Sequence, residues 1–164
     1  LALQLAEAGF TTIIARFPLN LALLAPNRAD ALRVRVAGVS RWAVGGHSLG
    51  GVMAAQYLDQ HPDDAGLNGL ILFAAYPANA NDLSDTAFNA LSLSASEDGL
   101  TSPQDIAASA QRMPPNTVFE EIAGGNHAQF GWYGPQDGDG MALISREDQA
   151  LLIRDQVIAF LSGD

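Results

Sequence analysis

The chain has 164 residues, 48% hydrophobic and 16% charged, which fits one folded domain with its own core and excludes a disordered chain. The formal net charge of −10 would repel the phosphate backbone of a nucleic acid and disfavours anionic membrane surfaces. The chain contains no Cys, so disulfides, thiolate metal sites and a cysteine nucleophile are excluded, and no apolar run is long enough to span a bilayer.

Predicted helices and strands alternate along the chain. Residues 1–9 predict the end of a helix, and the β-branched run Thr11–Ala15 predicts a short buried strand. The further predicted elements are a helix over 27–37, a strand at 42–44, a helix over 48–60, strands at 69–75 and 91–96, a helix over 103–112, a strand at 117–122 and a helix over 145–161. Ser102 and Ser145 are the predicted N-caps of the last two helices. This alternation predicts an α/β fold, a mostly parallel sheet with flanking helices, in one domain spanning residues 1–164.

The segment with the clearest chemical meaning is Gly46-His47-Ser48-Leu49-Gly50, which matches G-x-S-x-G. It follows an apolar strand and opens a helix, as a nucleophile elbow does, in which a strained turn raises the serine hydroxyl above the sheet. Glycine is expected two positions before and after the serine because a side chain there would collide with backbone. The Leu49 N–H would then face a developing negative charge. The alternative is that Ser48 only caps the helix.

A serine nucleophile needs a base, and the chain has three histidines. His127 follows the last predicted strand, at the edge where parallel sheets bind ligands, and is the candidate base. The alternative is a loop histidine without a role. His47 lies within the elbow, and we expect its side chain to point away from the face that carries the serine. His61 precedes Pro62 at a helix end and fits a surface position.

The acid of a Ser–acid–His set follows the serine and precedes the histidine in this kind of fold. Asp98 is the preferred candidate because it follows the predicted strand at 91–96 and Asp98-Gly99 would form the tight turn expected there. Its role would be to orient the imidazole and to stabilise the imidazolium. Glu97 is the main competitor, and Asp82, on the preceding connection, is a weaker one.

These segments together resemble bacterial α/β-hydrolases of the small, capless, dienelactone-hydrolase-like type. The resemblance is carried by Phe17-Pro-Leu-Asn-Leu-Ala, Gly45-Gly-His-Ser-Leu-Gly-Gly, Ala74-Ala-Tyr-Pro, Asp98-Gly-Leu and Gly124-Gly-Asn-His-Ala-Gln-Phe-Gly. It implies a Ser48–Asp98–His127 triad and a serine hydrolase that cleaves carboxylic esters through an acyl-enzyme intermediate. No metal or organic cofactor is implied, and scattered histidines without Cys make no zinc site.

One departure from the family concerns its sheet, which has eight strands in the spatial order 1-2-4-3-5-6-7-8. On that plan Thr11–Ala15 is the fourth strand and Trp42–Val44 the fifth, so the first three strands are lacking. The loop after the third strand, which supplies a second oxyanion donor in the family, is lacking too. Three explanations remain open: a longer native chain, which we favour; a partner that supplies the missing part; or a repaired sheet in which the fourth and fifth strands pair directly.

The expected ligand is a small-molecule ester in an open site. Candidate pocket walls are Phe17, Tyr76, Phe130, Trp132 and Tyr133, with ordinary aromatic packing as the alternative for each. A lactonase, peptidase or acyltransferase would use the same triad, and a binding protein that keeps the fold with weak or no turnover is an alternative of a different class. A phosphate-binding loop fits poorly, because the segment lacks G-x-x-x-x-G-K-[ST] and G-x-G-x-x-G.

Assembly and compartment are less constrained by the sequence. An open sheet edge would favour a homodimer, and we expect no nucleic-acid partner and no membrane segment in this chain. Neither a cytoplasmic nor an exported protein is excluded by the composition.

Overall fold

Four parallel strands form a sheet with helices packed against it, across residues 1–132 and 134–163, which the computed structural model describes. The elements in chain order are α1 (Ala2–Glu7), α2 (Arg28–Arg33), β1 (Trp42–His47), α3 (Leu49–Asp59), β2 (Leu67–Phe73), β3 (Asn89–Ala95), α4 (Pro103–Ser109), β4 (Asn116–Ile122) and α5 (Arg146–Ser162). The strands lie in the order β1-β2-β3-β4, and all three pairings are parallel. The predicted α/β architecture is therefore confirmed.

Two of the helices that follow loops at the carboxyl edge of the sheet, α4 and α5, begin at side-chain caps. The Ser102 hydroxyl accepts the Asp105 N–H, and the Asp105 carboxylate accepts the Ser102 N–H in return, which completes a capping box. The Ser145 hydroxyl accepts the Asp148 N–H at the start of α5, and α5 ends at the left-handed Gly163. Both caps agree with the sequence, and they define where the loops before these helices end.

The two faces of the sheet pack into separate cores because side chains alternate along each strand. Leu70 and Leu72 of β2 pack with Leu58 of α3 on one face. Ile71, the residue between them, packs with Val157 of α5 on the other face. Burial of a side chain of this size stabilises the fold by about 1.5–3 kcal/mol. The central strands therefore form a rigid base for the loops at the carboxyl edge.

The predicted strand at Thr11–Ala15 is wrong. The segment contains no strand, and Ile14 is 76% exposed. A cavity of about 460 Å³ separates it from β1 and is lined by residues 10–13 on one side and 42–45 on the other. β-Branched residues favour extended backbone, but a strand forms only where a neighbouring edge accepts and donates hydrogen bonds. Direct pairing of this segment with β1, as in a repaired sheet, is thus wrong for the described residues.

Helix α2 is shorter than the helix predicted over 27–37. It ends at Arg33, whose guanidinium donates two hydrogen bonds to the Asp64 carboxylate at 2.6 and 3.1 Å. This ion pair holds the end of α2 beside the loop that precedes β2.

None of the described helices is both long and apolar enough to cross a membrane.

Candidate active site

Ser48 lies in a strained turn between β1 and α3. Its backbone adopts φ 52° and ψ −126°, a conformation that a residue with a side chain rarely takes. The residue occupies the N-cap position of α3, but its side chain makes no capping hydrogen bond. The reading of Ser48 as a helix cap is therefore not supported. The Ser48 hydroxyl, at the end of β1, is therefore not engaged in capping α3.

Close packing in and next to the elbow requires glycine at two positions. One of them, Gly46, is expected from the motif, and the other, Gly51, is not. A Cβ on Gly46 would lie 2.5 Å from the carbonyl carbon of Gly50, and a Cβ on Gly51 would lie 2.5 Å from the Ala75 Cβ. A Cβ on Gly50 would meet nothing within 4 Å. The prediction that a side chain collides at Gly46 is confirmed and the prediction for Gly50 is wrong, because α3 turns position 50 outward and position 51 towards the sheet.

Asp98 and His127 form a buried pair. The His127 Nδ1 lies 2.8 Å from the Asp98 Oδ2, and their side chains are 2% and 0% exposed. The other carboxylate oxygen, Oδ1, accepts the N–H groups of Leu100 and Thr101 at 2.8 and 2.6 Å. Because an ionised carboxylate can only accept a hydrogen bond, a neutral imidazole bound to it through Nδ1 has its proton on Nδ1 and its lone pair on Nε2. The pair thus has the hydrogen bonding of an acid that orients a base.

The competing acids form other contacts. The Glu97 carboxylate accepts the Ser96 hydroxyl at 2.9 Å. Asp82 is exposed, and its carboxylate accepts the Ser84 N–H at 3.0 Å. Asp98 is therefore the acid among these three that the structure brings to His127.

His47 connects the candidate base to the elbow. Its ring centroid lies 4.5 Å from that of His127, and the Phe130 ring stacks on it at 5.9 Å. Because His47 directly precedes Ser48, this contact places the imidazole of His127 beside the turn that carries the serine. The His47 side chain, which we expect to point away from the face that carries the serine, is thus packed against His127 and Phe130.

His61 takes no part in this arrangement. It follows the far end of α3, where its Nδ1 lies 2.7 Å from the Tyr57 carbonyl oxygen. Within residues 1–132 and 134–163, no group of three or more His, Asp or Glu side chains is placed to hold a metal ion.

A sequence model described as "Alpha/beta hydrolase family" matches residues 1–151. The chain belongs to the alpha/beta hydrolase family. Comparison with the curated proteins found no match.

Solved structures similar to this family member share its fold at low sequence identity. A putative alpha/beta hydrolase from Agrobacterium tumefaciens is 16% identical with a TM-score of 0.65, over 99% of this chain and 76% of that one. An alpha-beta serine hydrolase homologue from Coxiella burnetii is 14% identical with a TM-score of 0.60, over 95% and 73%. A dienelactone hydrolase-like promiscuous phosphotriesterase from metagenomic libraries is 17% identical with a TM-score of 0.56, over 86% and 61%. The dienelactone-hydrolase-like resemblance therefore extends to the fold.

A cavity of about 520 Å³ opens beside the elbow of this hydrolase-family chain. Its lining includes Phe17, Ser48, Leu49 and Gln136. Of the predicted pocket walls that the structure describes, Phe17 is the one that lines this cavity.

The other predicted walls have different surroundings. Phe130 packs on His47 and Phe73, and Trp132 is 71% exposed with the Arg146 guanidinium over its ring. Tyr76 is half-buried and lies outside the lining of this cavity. Tyr133 lies outside the described residues.

The loop that carries His127 is anchored by residues that the sequence did not single out. Gln149 of α5 is fully buried, and its amide accepts the Asn126 N–H at 3.1 Å and donates to the Asn126 carbonyl at 3.0 Å. The Asn126 side chain in turn donates to the Gly140 carbonyl at 2.8 Å and accepts the Gln129 N–H at 3.1 Å. The sequence signal that could have identified this anchor is Gln149, a polar residue at a core position of α5, because a buried amide needs hydrogen-bond partners.

We expect the His47 imidazole to make folding stability depend on pH. Burial, followed by the proximity of His127, lowers the pKa of His47 from 6.5 to about 4. Between these values the unfolded chain binds more protons than the folded one, so the free energy of unfolding is highest above pH 6.5 and falls as the pH falls towards 4. The decrease attributable to His47 would be up to about 3 kcal/mol.

Chemical denaturation of the parent and of His47→Gln at several pH values checks this prediction. The variant should lose less stability than the parent between pH 7 and 4.5. Asp64, whose pKa Arg33 lowers to about 2, titrates below this window. Equal pH dependence of the parent and His47→Gln would contradict the prediction.

Proposed function

We propose that this chain is a serine hydrolase that cleaves small carboxylic esters through an acyl-enzyme intermediate. The observation that supports the proposal is the buried Asp98–His127 hydrogen bond, together with the contact of His127 with His47, the residue before the strained Ser48. A polarised imidazole next to a serine on such a turn is the arrangement that activates a hydroxyl for attack on a carbonyl.

The reaction begins with proton transfer. The His127 Nε2 takes the proton of the Ser48 hydroxyl as Oγ forms a bond to the ester carbonyl carbon. The carbonyl oxygen becomes an oxyanion, and the Asp98 carboxylate stabilises the imidazolium that has formed. The imidazolium then returns its proton to the leaving alcohol as the carbon–oxygen bond breaks. A water molecule, activated by the same imidazole, releases the acid and restores Ser48.

The backbone N–H of Leu49 is the proposed donor to the oxyanion. Leu49 is the first residue of α3, and the first N–H groups of a helix have no partner within it. The positive end of the helix dipole also favours negative charge at this point. A second donor would strengthen the site, because the loss of one oxyanion donor lowers turnover by about 100- to 1,000-fold.

The cavity beside the elbow favours uncharged substrates. Its lining, in the part of the chain that the structure describes, contains no Asp, Glu or Arg side chain. Apolar side chains cover much of it, namely Ile14, Phe17, Leu21, Val44 and Met53. Burying an unpaired carboxylate against such a surface is unfavourable. We therefore propose esters with neutral, short aliphatic groups as the preferred class.

The experiment that tests the function is labelling with a fluorophosphonate, followed by intact-mass measurement. An activated Ser48 Oγ attacks phosphorus and displaces fluoride, so the parent should gain one adduct. Ser48→Ala should gain none, and His127→Ala should react at least about 100-fold more slowly because general-base assistance is lost. An adduct that persists in Ser48→Ala, or no adduct on a folded parent, would contradict the proposal. The second result would favour a binding protein with the hydrolase fold.

A further inference from the structure

The Asp139 carboxylate lies between the loops that carry the proposed base and its acid. Its Oδ1 accepts the N–H of His127 at 3.2 Å and the N–H of Gly99, the residue after the acid, at 3.3 Å. Oδ2 accepts the Ala128 N–H at 2.9 Å, and Oδ1 also accepts the Gly140 N–H at 2.9 Å. One carboxylate thus binds backbone on both sides of the Asp98–His127 hydrogen bond.

The two loops are also packed too closely for side chains to separate them. A Cβ on Gly99 would collide with the Gly138 carbonyl oxygen, and a Cβ on Gly140 would collide with the Glu97 carbonyl oxygen. The Asn126 amide adds a hydrogen bond to the Gly140 carbonyl at 2.8 Å. The segment around Asp139 is therefore pressed against both the acid's turn and the base's loop.

We propose that Asp139 is a positioning residue that holds the His127 loop against the Asp98 turn and so fixes the alignment of imidazole and carboxylate. The assignment rests on the proposed hydrolase function for its kinetic consequences. Its structural basis is independent of that function, because the hydrogen bonds join backbone groups whose places decide where the two side chains meet. Charge-assisted bonds to a carboxylate are stronger than neutral ones, which suits a residue that ties loops together.

The test compares Asp139→Asn and Asp139→Ala with Asp137→Asn, an exposed acid of the same loop. Asp139→Asn keeps one acceptor oxygen and should fold. We expect kcat for an activated ester to fall about 10-fold in Asp139→Asn and about 100-fold in Asp139→Ala, with little change in KM, because small misplacements of reacting groups slow the chemical step. Asp137→Asn should match the parent in both kcat and KM.

A readout without substrate separates this inference from the proposed function. The His127 Nδ1 proton in a well-aligned bond to Asp98 should give a far-downfield NMR signal in the parent and Asp137→Asn. It should shift upfield or broaden in Asp139→Asn and disappear in Asp139→Ala. A parent that fluorophosphonate does not label would contradict the proposed function, yet this signal would still test Asp139.

Three results would overturn the positioning role. The first is an unchanged NMR signal and an unchanged kcat in folded Asp139→Ala. The second is failure of Asp139→Asn to fold, which would assign Asp139 to the stability of the fold. The third is a fall in activity that follows only the folded fraction, measured by thermal unfolding, with the NMR signal of the folded protein unchanged.

Discussion

Ser48→Ala, His127→Ala and the double variant should all lower kcat for an activated ester to the same residual value, about 10⁴- to 10⁶-fold below the parent. The reason is that the serine and the imidazole act as one unit: without the base the hydroxyl is a weak nucleophile, and without the hydroxyl the base has nothing to activate. Removal of the second member should therefore have no further effect. Initial rates of the four proteins at saturating substrate measure this directly.

The residual rate in these variants reports what the cavity and the Leu49 N–H contribute by themselves. Circular dichroism and thermal unfolding should show parent-like folding for Ser48→Ala, since the Ser48 side chain makes no capping bond to α3. Additive losses in the double variant would show that Ser48 and His127 act independently. Full activity in either single variant would remove that residue from the mechanism.

Asp98→Asn should lower kcat by about 10⁴-fold while the chain remains folded. An asparagine oxygen can still accept the N–H groups of Leu100 and Thr101, so the turn keeps its hydrogen bonds. Its NH₂ group would face the His127 Nδ1 and could only donate, which forces the imidazole into the other tautomer. The Nε2 atom would then carry the proton and could not take one from Ser48.

Glu97→Gln is the matched control for this prediction. It makes the same change at the adjacent acid, whose carboxylate binds Ser96 rather than His127. We expect parent-like kcat/KM for Glu97→Gln across the pH range, and a large loss for Asp98→Asn. The opposite pattern would make Glu97 the acid of the site.

Local steric rules carried most of what could be predicted about the site. Gly46-His47-Ser48 could be recognised because a serine on a strained turn needs a neighbour without a side chain, a requirement visible within five residues. The same local reasoning predicted the caps at Ser102 and Ser145 and the alternation that indicates a parallel sheet. Asp98 and His127 followed from their positions after strands, and the structure brings them within hydrogen-bond distance. Their catalytic roles stay predictions.

Contacts between distant segments decided the rest. Thr11–Ala15 has the composition of a strand but lies across a cavity from β1, because strand formation depends on a partner edge as well as on propensity. The approach of the Ala75 Cβ to Gly51 comes from the loop after β2, so no local pattern showed it. The His47 ring contacts the ring of His127, which lies 80 residues later in the chain. The Asp139 carboxylate binds the N–H groups of His127 and Gly99, which lie 12 and 40 residues earlier. The sequence by itself determined the fold class and the candidate residues. Tertiary packing decided which other groups contact those residues, because the neighbours of a side chain in space depend on how the whole chain folds.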